Sequence, residues 1–305
     1  GDVTLQAGDD ITQAAGTGVI SAGGGDIYLY AGHDNDGDGL INMQAVVGSG
    51  AETLAMTANQ GITVADAELT TINAFNSDSG NITITANTTT SRTLTIDDVV
   101  LGTGFGIKNN NGNVTVTNNG TIDIPGTNIP GWPAGAGIYG NNVTLTANGT
   151  GSDILLASTG TGTIITGIYA NGTVNLTAND DITAGSVGGA NNGNTADIVA
   201  GNSITMVATT GDITIGGDNN SAYSAVISGV GTVSMTAGND ININSNYATG
   251  TVIQAANTGL SLPNYAVSLN AGGNINFAAV NTSIDAGNAP VHLVAGGSIT
   301  DNNTN

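Results

Sequence analysis

The stretch GTVNLTANDDI, residues 172–182, carries the pattern that decides the fold. Val174, Leu176 and Ala178 alternate with polar residues, so they predict a strand with one buried face. An asparagine follows directly. Gly and Asn tolerate the left-handed backbone region most readily, so we expect a tight turn with positive φ at that position. Ile182 then opens a second strand, and the eleven residues predict a strand–turn–strand unit.

The first strand of this unit recurs eleven times along the chain. Its first residues are Val3, Ile27, Leu54, Ile82, Val114, Val143, Val174, Ile204, Val233, Val267 and Val291. Successive units are 24 to 34 residues apart. In seven of them the second strand begins eight residues later, at Ile11, Ile62, Ile122, Ile182, Ile241, Ile275 and Ile299. The turns between the two strands begin at Gly8, Asn59, Asn119, Asn179, Gly238, Gly272 and Gly296.

A less regular third strand before each unit completes a triangular coil. One coil cannot bury its apolar face alone, but stacked coils share a continuous core. The sequence therefore predicts one all-β domain over residues 1–305, a parallel β-solenoid of about eleven coils, roughly 50 Å long. Val3, Val174 and Val267 are expected in one column. The alternative is an antiparallel sandwich, which also has short, regularly spaced strands, but its turns would not repeat one local motif eleven times.

Charge and cysteine content narrow the classes of partner and compartment. The 305 residues include 23 acidic and only two basic ones, for a net charge of −21. Binding of nucleic acids or anionic membranes depends on Lys and Arg, so both partners are excluded, whereas divalent cations fit. The chain has no cysteine to form a disulfide and no apolar run long enough to span a membrane. It begins without Met or a signal peptide, so we expect a mature or internal piece of a longer protein.

Several units resemble the repeats of filamentous haemagglutinin-like exoproteins, a two-partner secretion family. They are GDVTLQAGDDI (1–11), GTVNLTANDDI (172–182), GTVSMTAGNDI (231–241) and VSLNAGGNI (267–275). The resemblance covers nearly the whole chain. It implies a right-handed β-helix, export across an outer membrane, and a role as a shaft or adhesin at the cell surface. The family's N-terminal secretion domain is not recognisable in this sequence.

The sharpest local motif is HDNDGDGLI at residues 33–41. Three aspartates at alternating positions, followed by a glycine, form the first half of a calcium loop, in which a backbone carbonyl adds a further oxygen. The usual bidentate Glu is replaced by Ala45, so a neighbouring Asn is expected to contribute. The predicted ligands are Asp34, Asp36, Asp38, Leu40 and Asn42. The alternative is a solvated acidic turn; we favour a structural Ca²⁺.

Aromatic residues provide candidate partner contacts. Residues 123–137 hold the only Trp and three of the five Pro, which predicts a loop excursion from the solenoid. Trp132 would either pack on its own coil or contact a partner, because aromatic side chains offer large, rigid contact area. Tyr28 and Tyr30 should point outward from their strand and are further candidates.

Outward-facing positions also form regular arrays. Tyr139 and Tyr169, in the repeated tripeptide Gly-Ile-Tyr, are expected to stack. Paired threonines follow each other in three successive units: Thr83 and Thr85, Thr115 and Thr117, Thr144 and Thr146. Such an array is a candidate ice-binding face. Thr is also simply a good outward strand residue, and the array fails in other units, among them that of Tyr28 and Tyr30.

Asparagines and aspartates beside the turns are candidates for modification and ion binding. Asn81, Asn113 and Asn142 begin Asn-x-Thr sequons next to turns and are candidate glycosylation sites. The pairs Asp9–Asp10 and Asp180–Asp181 fall in turns and are expected to be solvated residues rather than ion ligands.

Four functions fit this composition to different degrees. The favoured one is a structural or adhesive shaft of a secreted or cell-surface filament. A subunit that polymerises head to tail, with like chains or further coils as partners, is the closest alternative. A module that binds a host or neighbouring-cell glycan, or a polysaccharide-degrading enzyme, is disfavoured. With only Arg92 and Lys108 as cations, a lyase lacks the charges its acidic substrate needs, and the aspartates cluster in turns rather than as a carboxylate pair on one strand face. We therefore predict no catalytic residue.

Overall fold

The chain folds as a stack of short β-strands. The computed structural model describes residues 1–15, 20, 25–32, 34, 38–44, 54–67, 71–72, 74–87, 91–96, 105–126, 137–158, 167–186, 198–216, 226–244, 252–255, 264–278 and 283–302. Apart from turns and bends, every element within these ranges is a β-strand or an isolated bridge. The described residues contain no helix long and apolar enough to cross a membrane.

The strands, numbered in chain order, form three sheets. Sheet A contains β1 (Val3–Gln6), β3 (Ile27–Tyr30), β5 (Leu54–Ala58), β8 (Ala74–Ser77), β11 (Ile107–Asn109), β14 (Ile138–Gly140), β17 (Ile168–Ala170), β20 (Ile198–Ala200), β23 (Val226–Ser228), β26 (Ile253–Ala255) and β29 (Ile284–Asp285). Sheet B contains β2 (Ile11–Gln13), β4 (Leu40–Met43), β6 (Gly61–Ala67), β9 (Ile82–Ala86), β12 (Val114–Asn118), β15 (Val143–Ala147), β18 (Val174–Ala178), β21 (Ile204–Ala208), β24 (Val233–Ala237), β27 (Val267–Ala271) and β30 (Val291–Ala295). Sheet C contains β7 (Thr71–Ile72), β10 (Leu94–Ile96), β13 (Ile122–Gly126), β16 (Ile154–Ser158), β19 (Ile182–Ser186), β22 (Ile213–Ile215), β25 (Ile241–Ile243), β28 (Ile275–Phe277) and β31 (Ile299–Asp301).

From β5 onward the chain passes through sheets A, B and C in turn and then returns to A, so each round makes one coil; in the two coils before β5, the described strands belong to sheets A and B. Each strand pairs in parallel with its equivalent one coil away, for example Val114 with Val143 and Val143 with Val174. The prediction of an all-β, three-sided parallel solenoid of about eleven coils is confirmed. Connections between parallel strands are almost always right-handed, which agrees with the predicted hand.

The core is one continuous column of apolar side chains along the axis. In β9, β12 and β15 the side chains alternate between fully buried and partly exposed. Buried residues from all three sheets form a single cluster. The first and last coils differ, because each has a neighbour on one side only. Leu5 is 40% exposed at one end, and Val291 and Ile299 are 42% and 50% exposed at the other.

The expected column of Val3, Val174 and Val267 is wrong. The first three units of the repeat lie in sheet A, where Val3 pairs with Ile27, while the other eight lie in sheet B. The shift arises in a short coil, because Ile62 pairs with Ile82 only 20 residues later. The strand–turn–strand unit therefore moves from the A–B corner to the B–C corner. The repeat pattern does not distinguish the two corners, since both join two strands through a tight turn.

The positive φ expected at the turns is also wrong. None of the seven predicted turn residues, all of which are described, has a positive φ. At Gly272 and Gly296 the reason for glycine is close approach. A Cβ on Gly272 would lie 2.1 Å from the carbonyl oxygen of Gly238, and one on Gly296 would lie 2.1 Å from that of Gly272. Backbones of stacked turns thus touch at a distance that leaves no room for a side chain.

Candidate functional site

The predicted calcium loop is only partly described. Asp36 lies outside the described residues, whereas Asp34 and Asp38 lie within them. Leu40 and Asn42 belong to strand β4, and both occupy its partly exposed positions. No group of three or more His, Asp or Glu side chains that could hold a metal occurs among the described residues. Calcium binding here stays a prediction.

Hydrogen bonds hold the described part of this loop to the coils on either side. The Leu40 N–H donates to Oδ1 of Asp10 at 2.9 Å. On the other side, Nδ2 of Asn59 donates to the carbonyl oxygen of Asp38 at 2.9 Å and to that of Gly32 at 3.3 Å. The ends of the loop are thus bonded to the preceding coil and to the following coil.

The predicted partner contacts lie on different parts of the molecule. Tyr28 and Tyr30 are partly exposed on sheet A, so the expected outward orientation is confirmed. The Tyr28 hydroxyl donates to Oδ2 of Asp26 at 3.1 Å. Desolvation and the neighbouring Asp26 carboxylate raise the pKa of Tyr28. Trp132 lies outside the described residues, and the predicted excursion begins later than expected, since Asp123–Gly126 belong to strand β13.

The predicted stack of Tyr139 and Tyr169 is confirmed. Their ring centroids are 5.6 Å apart and the rings are inclined by 14°. Phe105 extends the cluster, 5.6 Å from Tyr139, and Nζ of Lys108 lies 5.8 Å from the centroid of Phe105. Sequence reasoning missed Phe105 because it precedes its strand and breaks the two-residue alternation. One of the two cations of the chain thus borders an aromatic column on the outer face of sheet A.

The three candidate glycosylation sites form a ladder along the A–B corner. The Asn113 N–H donates to Oδ1 of Asn81 at 3.1 Å, and Nδ2 of Asn142 donates to Oδ1 of Asn113 at 2.8 Å. The Thr173 N–H then donates to Oδ1 of Asn142 at 2.8 Å. Attachment of a glycan to Asn142 would use the nitrogen that now joins two coils. Glycosylation stays a prediction.

A second ladder runs along the B–C corner, at the residue just before each of the seven sheet C strands from β13 to β31. Its members are Thr121, Asp153, Asp181, Asp212, Asp240, Asn274 and Ser298. In each of the first six, a side-chain oxygen accepts the backbone N–H of the equivalent residue in the next coil, and Ser298 ends the series as a donor. The bonds from Asp181 to Asp153 and from Asp212 to Asp181 measure 3.1 Å and 2.7 Å. We call this column the axial ladder.

The axial ladder corrects the interpretation of the turn aspartates. Asp181 was expected to be a solvated residue, but it is partly buried and bonded to the coils on both sides. Asp10 also accepts an N–H, that of Leu40, but it is exposed to solvent together with Asp9, as expected. The signal was present in the sequence: a residue with a side-chain oxygen stands immediately before Ile in NDDI, GNDI and GGNI. Its meaning depends on the parallel register, which places those residues above one another.

Four successive members of the axial ladder carry carboxylates, about 4.8 Å apart along the axis. Burial raises the pKa of Asp153, and the charges of Asp181 and Asp180 raise it further, against the opposing effect of the hydrogen bond from the Asp181 N–H. A carboxylate that is harder to ionise in the folded state than in the unfolded one destabilises the fold at neutral pH.

We expect Asp153→Asn to raise the free energy of unfolding at pH 7 by about 0.5 kcal/mol. The amide oxygen would keep the bond to the Asp181 N–H, as that of Asn274 does for the Ser298 N–H, while one charge leaves the column. Because the folded pKa of Asp153 is raised, its ionisation penalty vanishes as the pH falls below the unfolded value of 3.8. Urea unfolding at pH 7 and at pH 3 measures both effects.

Two variants separate the charge from the hydrogen bond. Asp153→Ala loses the acceptor and is expected to destabilise. Asp9→Asn removes an exposed charge outside the axial ladder and is expected to leave stability nearly unchanged. A gain for Asp9→Asn equal to that for Asp153→Asn would show that net charge alone is responsible.

Comparison of the chain with family models, with curated proteins and with solved structures finds no match. The resemblance to filamentous haemagglutinin-like repeats therefore stays a prediction based on the repeat units themselves.

Proposed function

We propose that this chain is a shaft segment of a secreted or cell-surface filamentous protein, with a structural or adhesive role. The observation that carries the proposal is the continuous parallel pairing, in which sheets A and B each run through eleven strands, with one irregularity of register between Val64 and Ala67. Such a stack transmits force along one axis through backbone hydrogen bonds and a shared core. A shaft needs length and stiffness rather than a cleft.

The placement of the charged and aromatic residues supports a structural role over catalysis. The stacked carboxylates of the axial ladder lie at the B–C corner and each holds a backbone N–H of the next coil. The tyrosine column lies on sheet A, away from that corner. A glycosidase pairs two carboxylates across a bound sugar, whereas these carboxylates follow one another along the axis.

Exposed apolar residues at the two ends favour end-to-end contact with further coils or like chains. Leu5 lies at one end, and Val291 and Ile299 lie at the other, each at least 40% exposed, although their partners one coil away, Leu29, Val267 and Ile275, are fully buried. β1 and β2 at one end and β29 to β31 at the other each pair with one strand only. The two end faces match in sheets A and B, because every internal contact between coils joins equivalent strands of these sheets in parallel. An end-on contact that does not close forms a filament.

Sedimentation velocity over a range of concentrations, together with electron micrographs, tests this proposal. We expect rods about 50 Å long, or multiples of that length, and association that increases with concentration. Ile299→Lys should weaken the association because it places a charge on the end face. Val230→Lys is the matched control, since Val230 is 69% exposed but follows β23, which has a paired strand on both sides. Compact particles, or release of sugar from polysaccharide by the purified chain, would contradict the shaft.

A further inference from the structure

The outer face of sheet B is uncharged and rich in threonine over seven coils. From β9 to β27, each of seven consecutive strands presents two outward positions. They are Thr83, Thr85, Thr115, Thr117, Thr144, Thr146, Asn175, Thr177, Thr205, Val207, Ser234, Thr236, Ser268 and Asn270. Nine of the fourteen are threonine and none is charged, in a chain whose net charge is −21. We call these fourteen positions the threonine face.

The true register makes the threonine face more regular than the sequence alone suggested. Tyr28 and Tyr30, which interrupted the array in the sequence, lie on sheet A. They therefore do not interrupt the array on sheet B. On that sheet, Thr63 pairs with Thr83 of the next coil. Thr83 in turn pairs with Thr115, and Thr115 with Thr144, so one column holds four threonines in four consecutive coils.

The threonines of the threonine face occupy outward positions that are partly or fully exposed. Within the described part of the chain, those of Thr85, Thr117 and Thr146 have no hydrogen-bond partner in the protein. Threonines at the corners behave differently: the hydroxyl of Thr173 donates to Oδ1 of Asn142 at 3.0 Å and that of Thr210 to the carbonyl oxygen of Asn179 at 2.8 Å. Threonine hydroxyls at the corners thus bond within the protein, whereas these hydroxyls on sheet B remain available to bond water.

The spacing on this face is set by the fold. Equivalent residues in adjacent coils are about 4.8 Å apart, and successive outward residues of one strand are about 6.7 Å apart. The shorter repeat is close to the spacing of oxygen atoms along one axis of ice. Rows of hydroxyls can hydrogen-bond to water at that interval, while the γ-methyl groups between them order water without binding it. Charged side chains, which would hold water in a different arrangement, are missing from all fourteen positions.

We propose that the threonine face binds the surface of ice. None of the fourteen positions carries an aromatic side chain. Because surfaces that bind sugars commonly stack them on aromatic rings, this composition argues against a sugar-binding surface here. This function is independent of the proposed shaft and would coexist with it, because it uses one outer face and leaves both ends of the stack free.

Ice recrystallisation assays and partition of the protein into a slowly grown ice front test the proposal. Thr117→Tyr combined with Thr146→Tyr places two bulky rings in the centre of the face. The matched control is Thr183→Tyr with Thr214→Tyr, at outward positions of sheet C. Far-UV circular dichroism checks that all proteins are folded. We expect wild type and control to inhibit recrystallisation equally, and the sheet B variant to need a roughly tenfold higher concentration, about 1.4 kcal/mol of lost binding.

Three results would overturn the proposal. The first is a folded wild-type protein that neither enters ice nor slows recrystallisation. The second is an equal loss for the sheet B and sheet C variants. The third is binding of wild type to insoluble crystalline cellulose or chitin that the sheet B variant loses while ice activity stays at background, which would assign the face to a polysaccharide. Rods and end-to-end association could persist in each case, so the shaft proposal is judged separately.

Discussion

Leu145→Asp is expected to unfold the centre of the solenoid, whereas Thr144→Asp should be tolerated. Leu145 is fully buried and pairs with Val116 on one side and Leu176 on the other. An unpaired carboxylate there would lose its hydration and also leave a cavity, at a cost of about 4 kcal/mol or more. The free energy of unfolding of a typical domain is only about 5 to 15 kcal/mol, so this loss is a large fraction of it.

Thr144 is the matched control because it is the next residue of the same strand and is partly exposed. We expect Thr144→Asp to change the free energy of unfolding by about 0.5 kcal/mol or less. Urea unfolding followed by far-UV circular dichroism measures both. Since coils contact only their neighbours, the damage in Leu145→Asp should spread outward from coil to coil and broaden the transition. Equal losses for the two variants would mean that the alternation of buried and exposed residues is wrong.

The second large effect is expected at the stacked glycine turns. In Gly272→Ala the new methyl group would lie 2.1 Å from the Gly238 carbonyl oxygen, which belongs to backbone and cannot move alone. We expect a loss of about 2 to 3 kcal/mol. Gly8→Ala is the control at the same position of its own turn, since its methyl group would first meet Oδ2 of the exposed Asp34 side chain at 2.9 Å. This side chain can rotate away, so the control should lose about 1 kcal/mol or less.

Thermal and urea unfolding of the two glycine variants distinguish close approach from backbone conformation. Neither glycine has a positive φ, so a difference between the variants reports the contact between stacked turns. Equal stability of Gly272→Ala and wild type would mean that adjacent turns can separate at no cost.

Much of the fold follows from alternation alone. Val174, Leu176 and Ala178 are all buried, as the period of two predicted, and the same holds for the other central coils. The corner at which a unit sits could not be predicted, because it depends on how many residues each connection uses. The 20 residues between Ile62 and Ile82 show this most clearly. The alternation of apolar and polar residues shows which side chains face the core, but not which of the three sheets a strand joins.

The candidate sites were less predictable than the core. The stack of Tyr139 on Tyr169 followed from a repeated tripeptide, since equal positions in adjacent coils must superimpose. The axial ladder did not, because its bonds join a side chain to a backbone group some thirty residues away, as between Asp153 and Asp181. Calcium at residues 33–42 stays a prediction, since its central ligand, Asp36, lies outside the described residues.

The axial ladder also gives the rod a direction. In every rung the side chain of one coil accepts and the backbone of the following coil donates, as for Asp181, Asp212 and Asp240. A coil duplicated or deleted as a whole would preserve this one-way order, whereas an insertion of part of a coil would take the side-chain acceptors out of line with the N–H groups of the next coil. We therefore expect molecules of this design to gain or lose length in steps of one whole coil, as duplication of a coil would produce.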